Sequence, residues 1–160
     1  MRRRFAPLLA LALVAASPAP PALAPLHATT IGGAAFDAAP ARREVVVVHY
    51  WATWCAPCKV EMPMLDAAWR RYHAQGLQMI GVALDAGASR QKIAKHDMDV
   101  SFPIARAADT DLPRGALPSA LPETLVYGRD GRLRHVFRAG GSTFDAALLD
   151  RLLPPLLAER

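Results

Sequence analysis

The chain contains two cysteines, and they sit three residues apart where an apolar β-branched run gives way to a helical segment. The run is Glu44-Val45-Val46-Val47-Val48-His49-Tyr50, and the junction is Trp51-Ala52-Thr53-Trp54-Cys55-Ala56-Pro57-Cys58-Lys59. A near-continuous Val stretch of this length reads as a strand buried on both faces, the mark of a parallel sheet under helices. Residues 59–75 read as the helix that follows. The order strand, Cys-x-x-Cys, helix therefore restricts the chain to the α/β class and places both thiols at a helix N-terminus.

That position suits dithiol exchange. Free N–H groups and the helix dipole favour an anion there, so a cysteine at that point ionises more readily than a free thiol of pKa about 8.5. Cys55 is the expected exposed nucleophile. Cys58, one turn further in, is the expected resolving thiol that releases a mixed disulfide. Pro57 fits a first helical turn, where a missing N–H costs nothing. The competing readings are a structural disulfide, a metal site and two idle thiols. A staple over so short a loop would contribute about 2 kcal/mol, less than longer loops give. A closed zinc site normally takes four protein ligands, and there is no second cysteine pair.

The segment Trp51-Ala52-Thr53-Trp54-Cys55-Ala56-Pro57-Cys58-Lys59-Val60-Glu61-Met62-Pro63 resembles the active-site stretch of thioredoxin-like proteins, in particular the TlpA/ResA group of exported thiol–disulfide oxidoreductases. Pro63 matches the proline that kinks the first active-site helix in that fold. Leu121-Pro122-Glu123-Thr124-Leu125-Val126-Tyr127-Gly128-Arg129-Asp130-Gly131-Arg132-Leu133 resembles the group's cis-proline loop, strand and hairpin. The resemblance covers roughly residues 44–158. It implies that Pro122 is a cis-proline facing the dithiol and that the backbone of Leu121 pairs with a substrate chain. Trp54, which flanks the dithiol, is read as shaping the surface that meets substrate.

Two positions depart from the group's pattern. His49 stands six residues before the first cysteine, where thioredoxin has Asp, under the active site; an imidazole of pKa near 6.5 can take up a thiol proton there, or it can be a core histidine satisfied by its neighbours. Glu123 stands where Thr usually follows the cis-proline. It either tunes Cys55 and the choice of partner or points into solvent.

Met1-Arg2-Arg3-Arg4 and the apolar run from Phe5 to Ala16 read as the basic and apolar parts of a signal peptide over residues 1–24, with Ala22-Leu23-Ala24 as an A-x-A cleavage signal or an uncleaved anchor as the alternative. Residues 25–43 then read as a linker and poorly defined N-terminal segment, and 44–160 as one thioredoxin-like domain. The net charge is +5, and three of those charges are Arg2, Arg3 and Arg4. What remains lacks the clustered basic face that nucleic acid requires.

Leu77 to Asp85 reads as a second core strand, Ser89 to His96 as a helix capped by Ser89, and 109–122 as loop. Thr124 to Tyr127 and Leu133 to Phe137 flank an Asp-Gly hairpin turn. Phe144 to Leu157 reads as a last helix, capped by Ser142 or Thr143 and broken by Pro154-Pro155. The expected fold is thioredoxin-like: a central mixed β-sheet flanked by helices on both faces. The expected activity, by resemblance, is reduction of protein disulfides in an extracytoplasmic compartment, with apocytochrome c or the copper-site cysteines of an oxidase as substrates. No cofactor is implied beyond a redox-active Cys55–Cys58 disulfide, and the expected partners are protein disulfides and a membrane electron donor of the DsbD/CcdA type, acting on a monomer. Two alternatives stand beside it: a Cu(I)-binding assembly factor using the same thiolates, and a dithiol oxidase or isomerase running in the opposite direction.

Overall fold

The Val-rich run forms β3 (Val45–Trp51), every residue of which is buried. The structure, a computed structural model, describes residues 21–96, 99–140 and 144–159. Around β3 it places β1 (Leu26–Thr30), β2 (Ala35–Ala38), β4 (Leu77–Ala83), β5 (Ile104–Thr110), β6 (Glu123–Tyr127) and β7 (Leu133–Arg138), with helices α1 (Ala56–Tyr72), α2 (Arg90–Ala94) and α3 (Ala146–Ala158). The strands make one seven-stranded sheet in the order β2-β1-β5-β4-β3-β6-β7. β3, β4 and β5 run parallel, while β6 and β7 on one side and β1 and β2 on the other are antiparallel additions. This mixed sheet flanked by helices is the expected fold class.

Side chains of β3 alternate between two cores. Val45, Val47 and Trp51 enter the first, with Cys58, Met62 and Leu65 of α1, Ile93 of α2 and Leu149, Leu153 and Leu156 of α3. Val46, Val48 and Tyr50 enter the second, with Leu23, Leu26 and Phe36. All three helices thus bury their apolar sides in the first core, against the expectation of helices on both faces. The connections explain this. The path β3-α1-β4-α2-β5 always steps the same way across the sheet, and right-handed crossovers then put both helices on one face. Residues 111–121, interrupted by Pro113 and Pro118, form only a 3-10 turn at Arg114–Ala116, and Leu112, Leu117 and Leu121 lie half-buried on the second face.

The structure corrects three further expectations. Within residues 25–43, read as a linker and poorly defined N-terminal segment, Leu26–Thr30 and Ala35–Ala38 form the β1–β2 hairpin at the sheet edge; Thr30 closes its turn through its backbone and through Oγ1, which accepts from the Ala34 amide at 3.0 Å, and Gly33 supplies the left-handed φ of +86°. β5 occupies residues partly assigned to loop; its Ala-rich sequence has low strand preference, and pairing with β4 and β1 overrides it. Pro154 and Pro155 do not end α3, because both face solvent, where the carbonyls they leave unpaired meet water, while Leu149, Leu153 and Leu156 hold the same helix in the core. Its cap is Asp145, which accepts from the Leu148 amide at 2.6 Å; Ser142 and Thr143 lie outside the described residues. By contrast α1 carries Pro63 internally, and Ser89 caps α2, as expected.

Ahead of β1, Pro21 to Leu23 are laid along the start of β7. The Leu133 amide donates to the Pro21 carbonyl at 2.9 Å and the Leu23 amide to the Gly131 carbonyl at 2.7 Å, and Leu23 is buried in the second core. No helix of the described residues is long and apolar enough to cross a membrane. Residues 1–20, which carry the basic and apolar parts of the expected signal, lie outside the described residues.

Cutting after Ala24 would remove a buried leucine and two backbone hydrogen bonds. A chain beginning at Pro21 is expected to resist urea better than one beginning at Pro25, by about 2 kcal/mol from the burial of Leu23 alone. Equal unfolding midpoints and slopes would show that the segment contributes nothing.

Candidate active site

β3 ends inside the molecule and the chain turns directly into α1, so Cys55 is held from both sides. Its amide donates to the Ala52 carbonyl at 3.0 Å, and its Sγ, as the helix N-cap, accepts from the Cys58 amide at 3.3 Å. Cys55 and Cys58 are joined as a disulfide. No acidic residue occupies the first turn of α1, so nothing on the helix offsets its positive end. Cys55 is less open than the sequence suggested, 4% exposed against 0% for Cys58, although the order of exposure is as expected. The open surface belongs to Trp54, at 71% exposure, and to Ala56 and Pro57.

The turn before Cys55 has an anchor that the sequence did not reveal. Asp85, just beyond β4, accepts from the Thr53 amide at 3.0 Å and from its hydroxyl at 2.6 Å. Two charge-assisted bonds fix the backbone two residues ahead of the nucleophile.

Beneath the dithiol lies a polar group inside the first core. His49 is fully buried, and its Nδ1 is 2.8 Å from Thr124 Oγ1, its direct cross-strand partner on β6. Glu61 of α1 brings Oε2 to 3.8 Å from the same nitrogen, too long for a hydrogen bond. His49 Nε2 and Glu61 Oε2 have no hydrogen-bond partner among the described residues. Burial pushes the Glu61 carboxyl up to about 7 and the His49 imidazole down to about 3. Near neutral pH His49 is therefore uncharged, and Glu61 is the group poised to exchange a proton. Glu61 follows Cys58 by three residues on one helix, a spacing that sets side chains about 5–6 Å apart at Cβ. The sequence offered His49 for this role, with a satisfied core histidine as the alternative, and gave Glu61 no role. The available signal was an acid at i+3 from the second cysteine, on the side of α1 that buries Met62 and Leu65.

The Leu121–Pro122 peptide is cis, and Pro122 is buried where the chain enters β6. The Pro122 carbonyl accepts from the Ala139 amide, whereas the amide and carbonyl of Leu121 have no backbone partner among the described residues. β6 is antiparallel to β3, so this loop lies at the end of the sheet where β3 delivers Cys55. Glu123 is set apart from the His49 group. It points to the opposite face of the sheet from Thr124 and accepts from Arg138 Nε at 2.7 Å. Among the described residues no cluster of three or more His, Cys, Asp or Glu side chains could hold a metal ion.

A family model described as the AhpC/TSA family matches residues 17–136. The thiol-disulfide oxidoreductase ResA of Oceanobacillus iheyensis is 26% identical over 107 residues, covering 67% of this chain and 53% of that protein. ResA of Bacillus subtilis is 32% identical over 92 residues, covering 55% and 49%. The chain spans about half the length of the curated relatives it matches. Among solved structures, a thioredoxin-family thiol:disulfide interchange protein from Chlorobium tepidum superposes with a TM-score of 0.72 at 20% identity, covering 89% of this chain and 99% of that one. StoA from Bacillus subtilis gives 0.64 at 19%, covering 82% and 98%. At these identities the structures establish the thioredoxin-like fold.

The raised Glu61 carboxyl has a consequence for stability. Its folded value, about 7, exceeds its ordinary value of 4.5, so the folded state holds the proton more tightly and stability falls as pH rises between those two values. The oxidised Glu61→Gln variant should lose that slope and gain stability over the parent at pH 8 but not at pH 4. Guanidinium unfolding at the two pH values measures it, and an unchanged slope would show that Glu61 is not held in its acid form.

Proposed function

The chain belongs to the AhpC/TSA family, and on that premise we propose that it is an extracytoplasmic thiol–disulfide oxidoreductase that reduces disulfides of partner proteins. The observation that supports this most is the bonded Cys55–Cys58 pair at the head of α1, with the half-buried carboxyl of Glu61, its buried Oε2 unpartnered, one turn behind it. In the reduced protein the Cys55 thiolate attacks one sulfur of a substrate disulfide. A Cys55–substrate disulfide forms and the first substrate sulfur leaves as a thiolate, which takes a proton from water. Glu61 accepts the proton of Cys58, and the Cys58 thiolate then attacks Cys55 Sγ. The mixed disulfide breaks, the second substrate sulfur leaves as a thiolate that takes the proton held by Glu61, and the Cys55–Cys58 disulfide described above is regenerated. Two electrons have passed to the substrate.

Leu121, with its free amide and carbonyl, pairs with the substrate backbone beside Pro122, and Trp54 gives the approaching chain an apolar surface. His49 stays neutral and acts through Glu61. By resemblance the substrates are apocytochrome c or oxidase copper-site cysteines, and the electrons come from a membrane donor of the DsbD/CcdA type. The cycle uses no cofactor other than the dithiol, and the protein works as an exported monomer.

Cys58→Ala is expected to accumulate covalent partner adducts through Cys55 in the exporting cell, visible as bands that dithiothreitol removes. In Glu61→Gln the mixed disulfide should form at the parent rate at pH 7 but resolve about tenfold or more slowly, as loss of a proton acceptor predicts. Direction is read from the reduction potential of the pair. A value below about −220 mV supports a reductase, and one near −120 mV would make the protein an oxidant.

A further inference from the structure

One cavity of the molecule lies apart from the thiols and the buried carboxyl yet opens at the same end of the sheet. It has a volume of about 420 Å³ between Ala83–Gly87, at and beyond the end of β4, and Ala107 and Ala108 of β5, with Leu112, Arg114 and Leu117 as its outer wall. Parallel strands in α/β sheets present their ligands at their C-terminal ends. β3, β4 and β5 are parallel here, so the cavity and Cys55 share that end. Both flanks of the cavity are continuous with the residues that handle substrate. Asp85 in its wall is the anchor of Thr53, two residues before Cys55, and Leu117 in the opposite wall lies four residues before Leu121.

We propose that this cavity is a specificity pocket that takes an apolar side chain of the substrate, within two residues of its disulfide-bonded cysteine, while Arg114 at the rim receives an acidic neighbour. The inference rests on the oxidoreductase reading given above. Its chemistry follows from the lining. Leu84, Ala107, Leu112 and Leu117 are only half-buried, so each keeps apolar surface that a guest side chain would cover. The volume lies in the range of small-ligand sites and exceeds a single leucine, which admits an aromatic guest as well. Arg114 is exposed and makes no ion pair or side-chain hydrogen bond among the described residues, whereas the carboxylate of Asp85 is already engaged by Thr53. The free charge at the pocket is therefore positive. An extended segment paired with the Leu121 backbone rises about 3.3 Å per residue and turns alternate side chains to alternate faces. A cysteine held at Cys55 then has neighbours within reach of a pocket walled by the same loop.

The test compares two short peptides in the full chain with dithiothreitol as reductant. Each carries one cysteine in disulfide linkage to glutathione, flanked on both sides either by Leu and Asp or by Gly alone. Oxidised glutathione serves as a substrate too small to reach the pocket. The Leu/Asp peptide is expected to have a kcat/KM about tenfold or more above the Gly peptide, the scale of an apolar pocket contact. Ala86→Trp, which fills the mouth from an exposed position, should bring the two peptides within about twofold while leaving oxidised glutathione unchanged. Arg114→Glu should shrink the advantage of the Leu/Asp peptide over the Gly peptide while leaving oxidised glutathione unchanged. Equal rates for the two peptides in the parent, or a preference that survives Ala86→Trp, would overturn the pocket while leaving the oxidoreductase reading intact. If none of the three disulfides is reduced, the oxidoreductase reading fails and the pocket assignment falls with it.

Discussion

Everything at this site depends on β3 being buried along its whole length. A strand closed to water on both faces can end deep enough to set a dithiol over a dry floor, and only a run such as Val45 to Val48 tolerates that burial without unsatisfied side chains. Of the polar side chains on the strand, Trp51 leaves its Nε1 buried without a hydrogen-bond partner among the described residues, and His49 is held because Thr124 sits directly across on β6 and engages its Nδ1. Removing that hydroxyl would strand a second buried nitrogen beside the unpaired Nε2, at a cost of about 1–3 kcal/mol.

The approach of Glu61 to His49 at 3.8 Å looks like an ion pair by distance, but the electrostatics argue otherwise. Burial lowers the imidazole to about 3 and raises the carboxyl to about 7, so between those values the two groups are both neutral. Two neutral groups avoid the desolvation that a buried charged pair incurs. The arrangement leaves one group, Glu61, whose proton is balanced near physiological pH. In the proposed cycle that property suits a base that takes a thiol proton and later gives it up. There the histidine does not replace the carboxyl. It forms part of the dry, hydrogen-bonded wall that keeps the carboxyl in range.

Much of this was legible in the sequence, for local reasons. The Val run, Cys55 and Cys58 and the Asp130-Gly131 hairpin each announce themselves within a few residues, whereas Pro122 stands out among the prolines only through the family resemblance. Glu61 was legible as well, since its spacing from Cys58 is helical. Thr124 and Asp85 were not. Each acts through a partner far away in sequence, 75 residues for His49 and 32 for Thr53, and only the sheet register brings them together. β5 and the β1–β2 hairpin escaped for a different reason: their Ala-rich sequences carry little strand preference, and the neighbouring strands supply what the local sequence lacks.

The placement of all three helices on one face divides the labour of the sheet. The helix-covered face is packed by long side chains of α1, α2 and α3, and it holds Cys58 together with His49 and Glu61, whose protonation burial shifts. Among the described residues the other face, beside the cis-proline loop, is closed by a 3-10 turn and the strand-like segment at Pro21 to Leu23, and its leucines remain partly uncovered. A closely packed face resists change, which suits a site that must hold its pKa values. A loop-covered face with room beneath it is where sequence can vary without disturbing the dithiol. On the proposed reading the reaction and the choice of substrate lie on opposite sides of one strand, and Cys55 stands at the end of that strand, where both can reach it.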